Sequence, residues 1–125
     1  GKIKWQIPLG EVPELAAKGI TNTGAHFPKV GPVVTAGGLI FTGTRDRYIR
    51  ALDVDTGKEL WKAEVEAGVE GIPAVYEVDG REYVAISARS ARELIGAEGG
   101  PTSAKNIPNQ PNATGYYVFA LPKKP

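Results

Sequence analysis

Three segments of this chain occur twice, in the same order, and such an internal repeat limits the possible folds more than any other feature. Each segment has a composition typical of strands rather than helices. The repeated unit is therefore predicted to be a small antiparallel sheet. The matched pairs are 1–5 with 57–61, 31–34 with 71–75, and 48–52 with 117–121.

Composition excludes several classes of function. The 125 residues carry 15 basic and 14 acidic side chains without a basic block, so nucleic-acid binding has no electrostatic support. Cysteine is absent, which excludes disulfides, thiolate metal sites and a cysteine nucleophile. The sequence contains neither a signal peptide nor an apolar run of membrane-spanning length. It begins with Gly and lacks Met, so we expect a portion of a longer protein.

Turn signals divide the chain into predicted strands. Ile3–Leu9 is predicted as a short strand, and an irregular connection over Gly10–Lys29 is expected to contain one helical turn at Val12–Ala17. Glycine-rich turns at 36–38 and Asp79-Gly80 predict hairpins. The remaining predicted strands are Val33–Thr35, Leu39–Thr44, Tyr48–Val54, Leu60–Val65, Pro73–Val78, Glu82–Ser87 and Tyr116–Leu121.

Residues 51–61, Ala-Leu-Asp-Val-Asp-Thr-Gly-Lys-Glu-Leu-Trp, closely resemble the tryptophan-docking motif of quinoprotein dehydrogenases, whose eight-bladed propellers bind pyrroloquinoline quinone (PQQ). In that motif Asp-x-x-Thr-Gly closes a hairpin and the indole stacks between adjacent blades. The stretches 31–41, 44–51, 72–84 and 115–122 are similar to the last blades of the membrane-bound glucose dehydrogenase branch. The resemblance covers nearly the whole chain.

This resemblance implies an all-β fold built from antiparallel four-stranded blades, with about two blades of the propeller in this chain. Residues 1–10 would be the last strand of a preceding blade and 31–66 a complete blade. Residues 71–122 would form a final blade that lacks its fourth strand. The strands at the open ends would be unpaired, so we expect self-association through sheet edges.

The implied parent enzyme is periplasmic and oxidises a sugar or alcohol. It uses PQQ with a divalent cation, Ca²⁺ or Mg²⁺, and passes electrons to a quinone or cytochrome. The catalytic base and metal ligands would lie in earlier blades, so this chain alone is expected to bind no cofactor and to be inactive. The alternative is a segment of a non-catalytic propeller with PQQ-like repeats that serves as a scaffold for protein partners.

Propeller geometry predicts which connections share the cofactor face, because alternate connections between strands open on the same side of a blade. By this rule four connections lie on that face, and the hairpin Asp53–Gly57 lies on the opposite, structural side. The four are Gly10–Val30, Arg45–Arg47, Ala67–Gly71 and Ala88–Thr114.

Asp46 and Lys29 are the predicted cofactor-binding residues. The resemblance places an acid matching Asp46 near the cofactor or its metal; alternatively Asp46 pairs with Arg45 or Arg47, or accepts backbone N–H groups in its turn. Lys29 would pair with a cofactor carboxylate, and the alternative is an exposed loop lysine.

Two further residues have open roles. His26 is the only histidine and either lines the active-site rim or has no site role. Arg50 is expected to pack its stem and pair with a carboxylate, a structural rather than a catalytic role.

Overall fold

The computed structural model of this chain describes residues 1–25, 30–44, 46–89 and 114–123. Within these ranges the chain forms one helix, α1 (Pro13–Ala16), and seven strands. Because α1 has four residues, the described part of the chain holds no helix able to cross a bilayer. The strands are β1 (Val33–Val34), β2 (Leu39–Gly43), β3 (Tyr48–Asp53), β4 (Glu59–Glu64), β5 (Gly68–Val78), β6 (Arg81–Arg89) and β7 (Gly115–Ala120).

Strands β1 to β4 form an antiparallel sheet in sequence order. The turn between β1 and β2 contains Gly38 at a φ of 82°, a conformation that costs glycine little. The hydroxyl of Thr35 supports the turn by accepting the backbone N–H of Leu39 at 3.2 Å. This sheet lies within the predicted unit 31–66, and its strands match the predicted ones to within one residue at each end.

Strands β5, β6 and β7 form a second antiparallel sheet. Asp79 and Gly80 have φ values of 50° and 72°, the positive values that a two-residue hairpin turn requires, as predicted. The predicted start of β5 at Pro73 is wrong, because the strand begins at Gly68. Its pairing with β6 is interrupted between Glu70 and Ala74, and Pro73 within that interval has no N–H to donate.

The two sheets pack face to face around one apolar core. Gly43 of β2 is needed there, because a Cβ on it would lie 2.0 Å from Cγ1 of Val69. The all-β antiparallel prediction is therefore confirmed. The buried core residues are Phe41, Ile49, Ala51, Val65, Ala67, Val69, Val84, Ile86 and Ala88.

The segment before α1 differs from the prediction, since residues 1–9 form no strand. A strand needs a paired neighbour, and this segment instead contacts the first sheet through side chains. The Trp5 indole lies against Gly57 and donates its Nε1–H to the Val54 carbonyl at 2.9 Å. By contrast, the predicted helical turn after Gly10 is confirmed as α1.

Candidate functional site

Connections that are far apart in sequence meet at one end of the two sheets. The backbone N–H of Glu11 reaches the turn at Asp46, 2.9 Å from its carboxylate. Val30 pairs with Gly71 in an isolated parallel bridge. We call this part of the molecule the connection end and define it as residues 10–25, 30, 46–48 and 67–71. Contacts among them agree with the prediction that these connections share one face.

The end of β6 also lies beside the connection end. Arg89 is the partner of Gly68 in the β5–β6 ladder, and its Nε lies 3.2 Å from Oε2 of Glu70. Arg89 was predicted to lie on the same face, at the start of the long loop. Residues 90–113 of that loop lie outside the described residues.

Asp46 is the most heavily bonded side chain at the connection end. Its Oδ2 lies 2.7 Å from Nη2 of Arg50, and its Oδ1 lies 3.0 Å from Nη1 of the same guanidinium. Both side chains are buried, with 4% and 6% of their surfaces exposed. The Thr44 hydroxyl donates to Oδ1, and the Glu11 N–H donates to Oδ2. The carboxylate thus has two partners on each oxygen.

This count decides what else Asp46 can bind. A carboxylate has about four lone-pair positions, and the four donors on Asp46 fill them. A cation would have to displace Arg50, the Thr44 hydroxyl or the Glu11 N–H to reach it. The geometry therefore fits an internal anchor better than a metal ligand. Direct contact between Asp46 and a cofactor stays a prediction.

The ionic state of the pair follows from competing effects. Burial raises the pKa of Asp46, but hydrogen bonds from Arg50 and Thr44, together with the Arg50 charge, lower it below its ordinary value. Burial lowers the pKa of Arg50, and the bonds and charges of Asp46 and Glu59 raise it above its ordinary value. Both groups are therefore charged across the neutral pH range.

Arg50 has a second carboxylate partner, since its Nε lies 3.0 Å from Oε2 of the half-exposed Glu59. The expectation that Arg50 pairs with a carboxylate is thus confirmed. Arg47 pairs instead with Glu64 at 2.7 Å, so it is not the partner of Asp46. The sequence contains a signal for the observed pair: opposite charges four residues apart, with Asp46 in a turn and Arg50 in the strand that follows it.

Three of the residues considered from sequence lie outside the described residues: Lys29, His26 and Arg45. The role of Lys29 as a cofactor contact therefore stays a prediction.

Glu11 is a residue of the connection end that the sequence did not single out. Its Oε1 accepts the backbone N–H of Asn22 at 2.9 Å. Its Oε2 accepts the N–H and the hydroxyl of Thr23 at 3.3 and 3.0 Å. The N–H of Asn22, then that of Thr23, lowers the pKa of Glu11 below its ordinary value. No local pattern reveals these partners, which lie eleven and twelve residues along the chain.

The opposite end of the first sheet is closed by structural contacts. Oδ1 of Asp53 accepts the N–H and the hydroxyl of Thr56, both at 2.8 Å, and the N–H of Asp55 at 3.0 Å. The Thr56 hydroxyl, followed by its N–H, lowers the pKa of Asp53. These bonds agree with the structural role predicted for the hairpin Asp53–Gly57.

A cavity of about 300 Å³ lies between residues 5–9 and the first sheet. Its lining residues are mainly apolar and include Thr42 and Thr44. The described lining includes no charged side chain, so this cavity offers no ion pair to a charged ligand. Nor does any cluster of three or more His, Cys, Asp or Glu occur in the described ranges.

Residues 1–84 match the family described as PQQ glucose/ethanol/alcohol dehydrogenase, β-propeller domain. The 1-butanol dehydrogenase (quinone) of Thauera butanivorans is 50% identical over 95 residues, covering 74% of this chain and 15% of that protein. The quinate/shikimate dehydrogenase (quinone) of Acinetobacter baylyi is 38% identical over 99 residues, covering 74% of this chain and 12% of that protein. The chain thus spans less than a fifth of the length of these relatives.

A solved structure supports the same fold. A europium-containing methanol dehydrogenase is 35% identical and superposes with a TM-score of 0.60, covering 77% of this chain and 20% of that one. The described sheets are therefore a fragment of a propeller. Because proteins named for butanol, quinate and glucose all match, the predicted glucose dehydrogenase branch is one of several relatives and is not singled out.

Proposed function

The chain belongs to the PQQ glucose/ethanol/alcohol dehydrogenase β-propeller family, and from that premise we propose that it is part of the propeller of a quinoprotein dehydrogenase that oxidises an alcohol or a sugar. The family match over residues 1–84 is the observation that carries this proposal. The meeting of three connections at one end supports it, since a propeller groups alternate connections on one face.

An alcohol is the better-supported substrate class. The butanol dehydrogenase is 50% identical over 95 residues, whereas the quinoprotein glucose dehydrogenase A of Acinetobacter calcoaceticus is 46% identical over 59. The acceptor in the parent would be a quinone or a cytochrome, as the names of two Thauera butanivorans relatives indicate for those proteins. We further propose a periplasmic location, which rests on the resemblance to the membrane-bound branch.

PQQ would supply the two-electron chemistry, with a metal ion beside it. The metal proposed is Ca²⁺, Mg²⁺ or a lanthanide, since the superposed methanol dehydrogenase contains europium. The described residues do not fit the metal: they contain no cluster of ligands, and Asp46 has its lone pairs occupied. The ligands and the base are therefore proposed to lie in other blades, and this chain alone to be inactive.

Asp46 is proposed to serve the cofactor indirectly, by fixing the connection that lies beside it. Lys29, near the end of that connection in sequence, is the residue proposed to reach a PQQ carboxylate. Matched substitutions distinguish the two roles. Lys29→Gln would weaken PQQ binding with little loss of folding stability. Asp46→Asn would act mainly by lowering folding stability.

Self-association of this chain is proposed to use the outer part of the second sheet. In the described ranges β7 pairs with β6 alone, and it exposes 84% of Tyr116 and 55% of Val118. An edge strand with apolar side chains offers unpaired backbone N–H and C=O groups, together with apolar surface, to a second copy of the chain.

Cofactor-dependent turnover of the full-length protein tests the proposed function. The protein is loaded with PQQ and, in separate samples, Ca²⁺, Mg²⁺ or a lanthanide, then supplied with alcohols or sugars and an artificial electron acceptor. The proposal predicts acceptor reduction that requires both PQQ and a metal. Turnover without PQQ would contradict the dependence on the quinone. No turnover with any pair of metal and substrate would contradict the proposal and favour a scaffold propeller.

A further inference from the structure

The connection over residues 10–25 is a closed loop with a narrow neck. Its ends are joined where the N–H of Ala25 donates to the Leu9 carbonyl at 2.6 Å. Gly10 sits in this neck at a φ of 75°, and a Cβ on it would lie 2.8 Å from the Cβ of Ala25. Compact loops of this length, with their ends close together, are frequently functional.

This loop has no hydrophobic core of its own, because α1 buries none of its side chains. Its conformation therefore depends on polar contacts, and those centre on Glu11. The Glu11 carboxylate holds the far side of the loop at Asn22 and Thr23. The Thr23 hydroxyl in turn accepts the N–H of Val12 at 2.8 Å.

Glu11 also ties the loop to the sheet. Its backbone N–H donates to Asp46, which is fixed by the buried guanidinium of Arg50. One residue therefore joins the interior of the loop, through its side chain, to the ion pair, through its backbone. We call this set the Glu11 latch: Glu11, Asn22, Thr23, Asp46 and Arg50.

We propose that Glu11 is a positioning residue for the quinone cofactor: by holding the loop 10–25 in one conformation at the connection end, it presets that face for binding. The inference rests on the proposed function. Glu11 itself does not touch the cofactor, because its carboxylate oxygens face the loop interior. Its effect on binding arises from preorganisation, since a mobile loop loses conformational entropy when a ligand orders it.

Glu11→Gln is the test variant, studied in the full-length protein. Glutamine keeps the size but replaces one acceptor oxygen with an NH₂ group, so the N–H groups of Asn22 and Thr23 cannot both keep their acceptors. The control is Glu14→Gln, an exposed acid in the same loop that makes none of the latch contacts. Hydrogen exchange is measured at residues 22 and 23, and PQQ affinity is measured by equilibrium titration with the metal that supports turnover.

The latch predicts that Glu11→Gln speeds exchange at residues 22 and 23 by about tenfold, the factor that one lost hydrogen bond gives. It also predicts a severalfold higher Kd for PQQ, while Glu14→Gln changes neither quantity. Thr23→Val, which removes the hydroxyl at the same volume, should reproduce both effects. It serves as the second variant if Glu11→Gln lowers the urea midpoint of the whole domain.

The outcomes separate the inference from the proposed function. Unchanged exchange in both variants would show that the latch does not hold the loop. Faster exchange with an unchanged Kd would overturn the positioning role. A wild-type protein that binds no PQQ would refute the proposed function and the positioning role together, while the exchange measurements would still decide whether the latch exists.

Discussion

Asp46→Asn is expected to lower the free energy of unfolding of this chain by about 3 kcal/mol. Breaking a buried ion pair costs about 3–5 kcal/mol, because the remaining charge stays buried without its partner. The lower end of this range of costs applies to Asp46→Asn for two reasons. Arg50 keeps Glu59 at 3.0 Å, and the amide oxygen of asparagine still accepts one hydrogen bond.

Urea denaturation at pH 7 measures this loss. For a chain of this size the slope is about 1.5 kcal/mol per M, so the midpoint should fall by about 2 M with an unchanged slope. Asp79→Asn is the matched control. Asp79 is exposed in a hairpin turn at a φ of 50°, which asparagine tolerates, so its midpoint should stay unchanged. A loss for Asp46→Asn below about 1 kcal/mol would refute the argument from burial.

The same variant has a predictable pH dependence. The pKa of Asp46 is lower in the folded state, so its stabilisation is fully present above the unfolded pKa of about 3.9. It is lost as the pH falls through the folded value, where Asp46 becomes protonated. The difference between wild type and Asp46→Asn should therefore shrink as the pH falls below about 4. A difference that stays constant down to pH 2 would contradict this assignment.

Three further predictions concern other parts of the chain. Gly57→Ala should lower the free energy of unfolding by about 2–4 kcal/mol, because Gly57 has a positive φ and because the Trp5 ring would lie 2.5 Å from the new Cβ. The control is Gly80→Ala, at the same φ of 72° but in open space, which should cost only about 1–2 kcal/mol in the same urea titration. Asp53→Asn should make the free energy of unfolding less sensitive to acid. The pKa of Asp53 is lowered in the folded state, so the stabilisation by its carboxylate is lost as the pH falls through that folded pKa. An unchanged pH profile of stability would argue against this. Val118→Lys should shift the chain toward monomer in light scattering, because an exposed edge lysine discourages strand pairing, and an unchanged mass would place self-association elsewhere.

Local chemistry explains why much of the fold was predictable. Asp79-Gly80 favours two positive φ values, which a two-residue hairpin turn requires. The alternation of side chains along β7, with Tyr117 and Phe119 packed against the core and Tyr116 and Val118 exposed, has the period of a half-buried strand. Signals of this kind span fewer than ten residues and can be read from the sequence directly.

The errors arose where the structure depends on distant partners. Residues 1–9 have strand composition, yet within the described ranges they have no neighbouring strand to pair with. The sequence predicts that β5 begins at Pro73, but Pro73 lies at an irregularity inside the strand, which continues on both sides of it.

The contacts of Asp46 likewise depend on partners that are distant in sequence. Asp46 was found from its place in the turn, but the N–H donor from Glu11 is 35 residues away and has no signature in sequence. That donor helps to fill the lone pairs of Asp46. The sequence therefore identified the important carboxylate while leaving its role open.

We propose above all that the connection end, and not the hairpin 53–57, faces the cofactor. Hydrogen exchange of the full-length protein with and without PQQ, at saturating metal, tests it most directly. We predict protection on PQQ binding within residues 10–25, 30, 46–48 and 67–71, with no change over residues 53–58. Protection over 53–58, or none at the connection end, would contradict the claim.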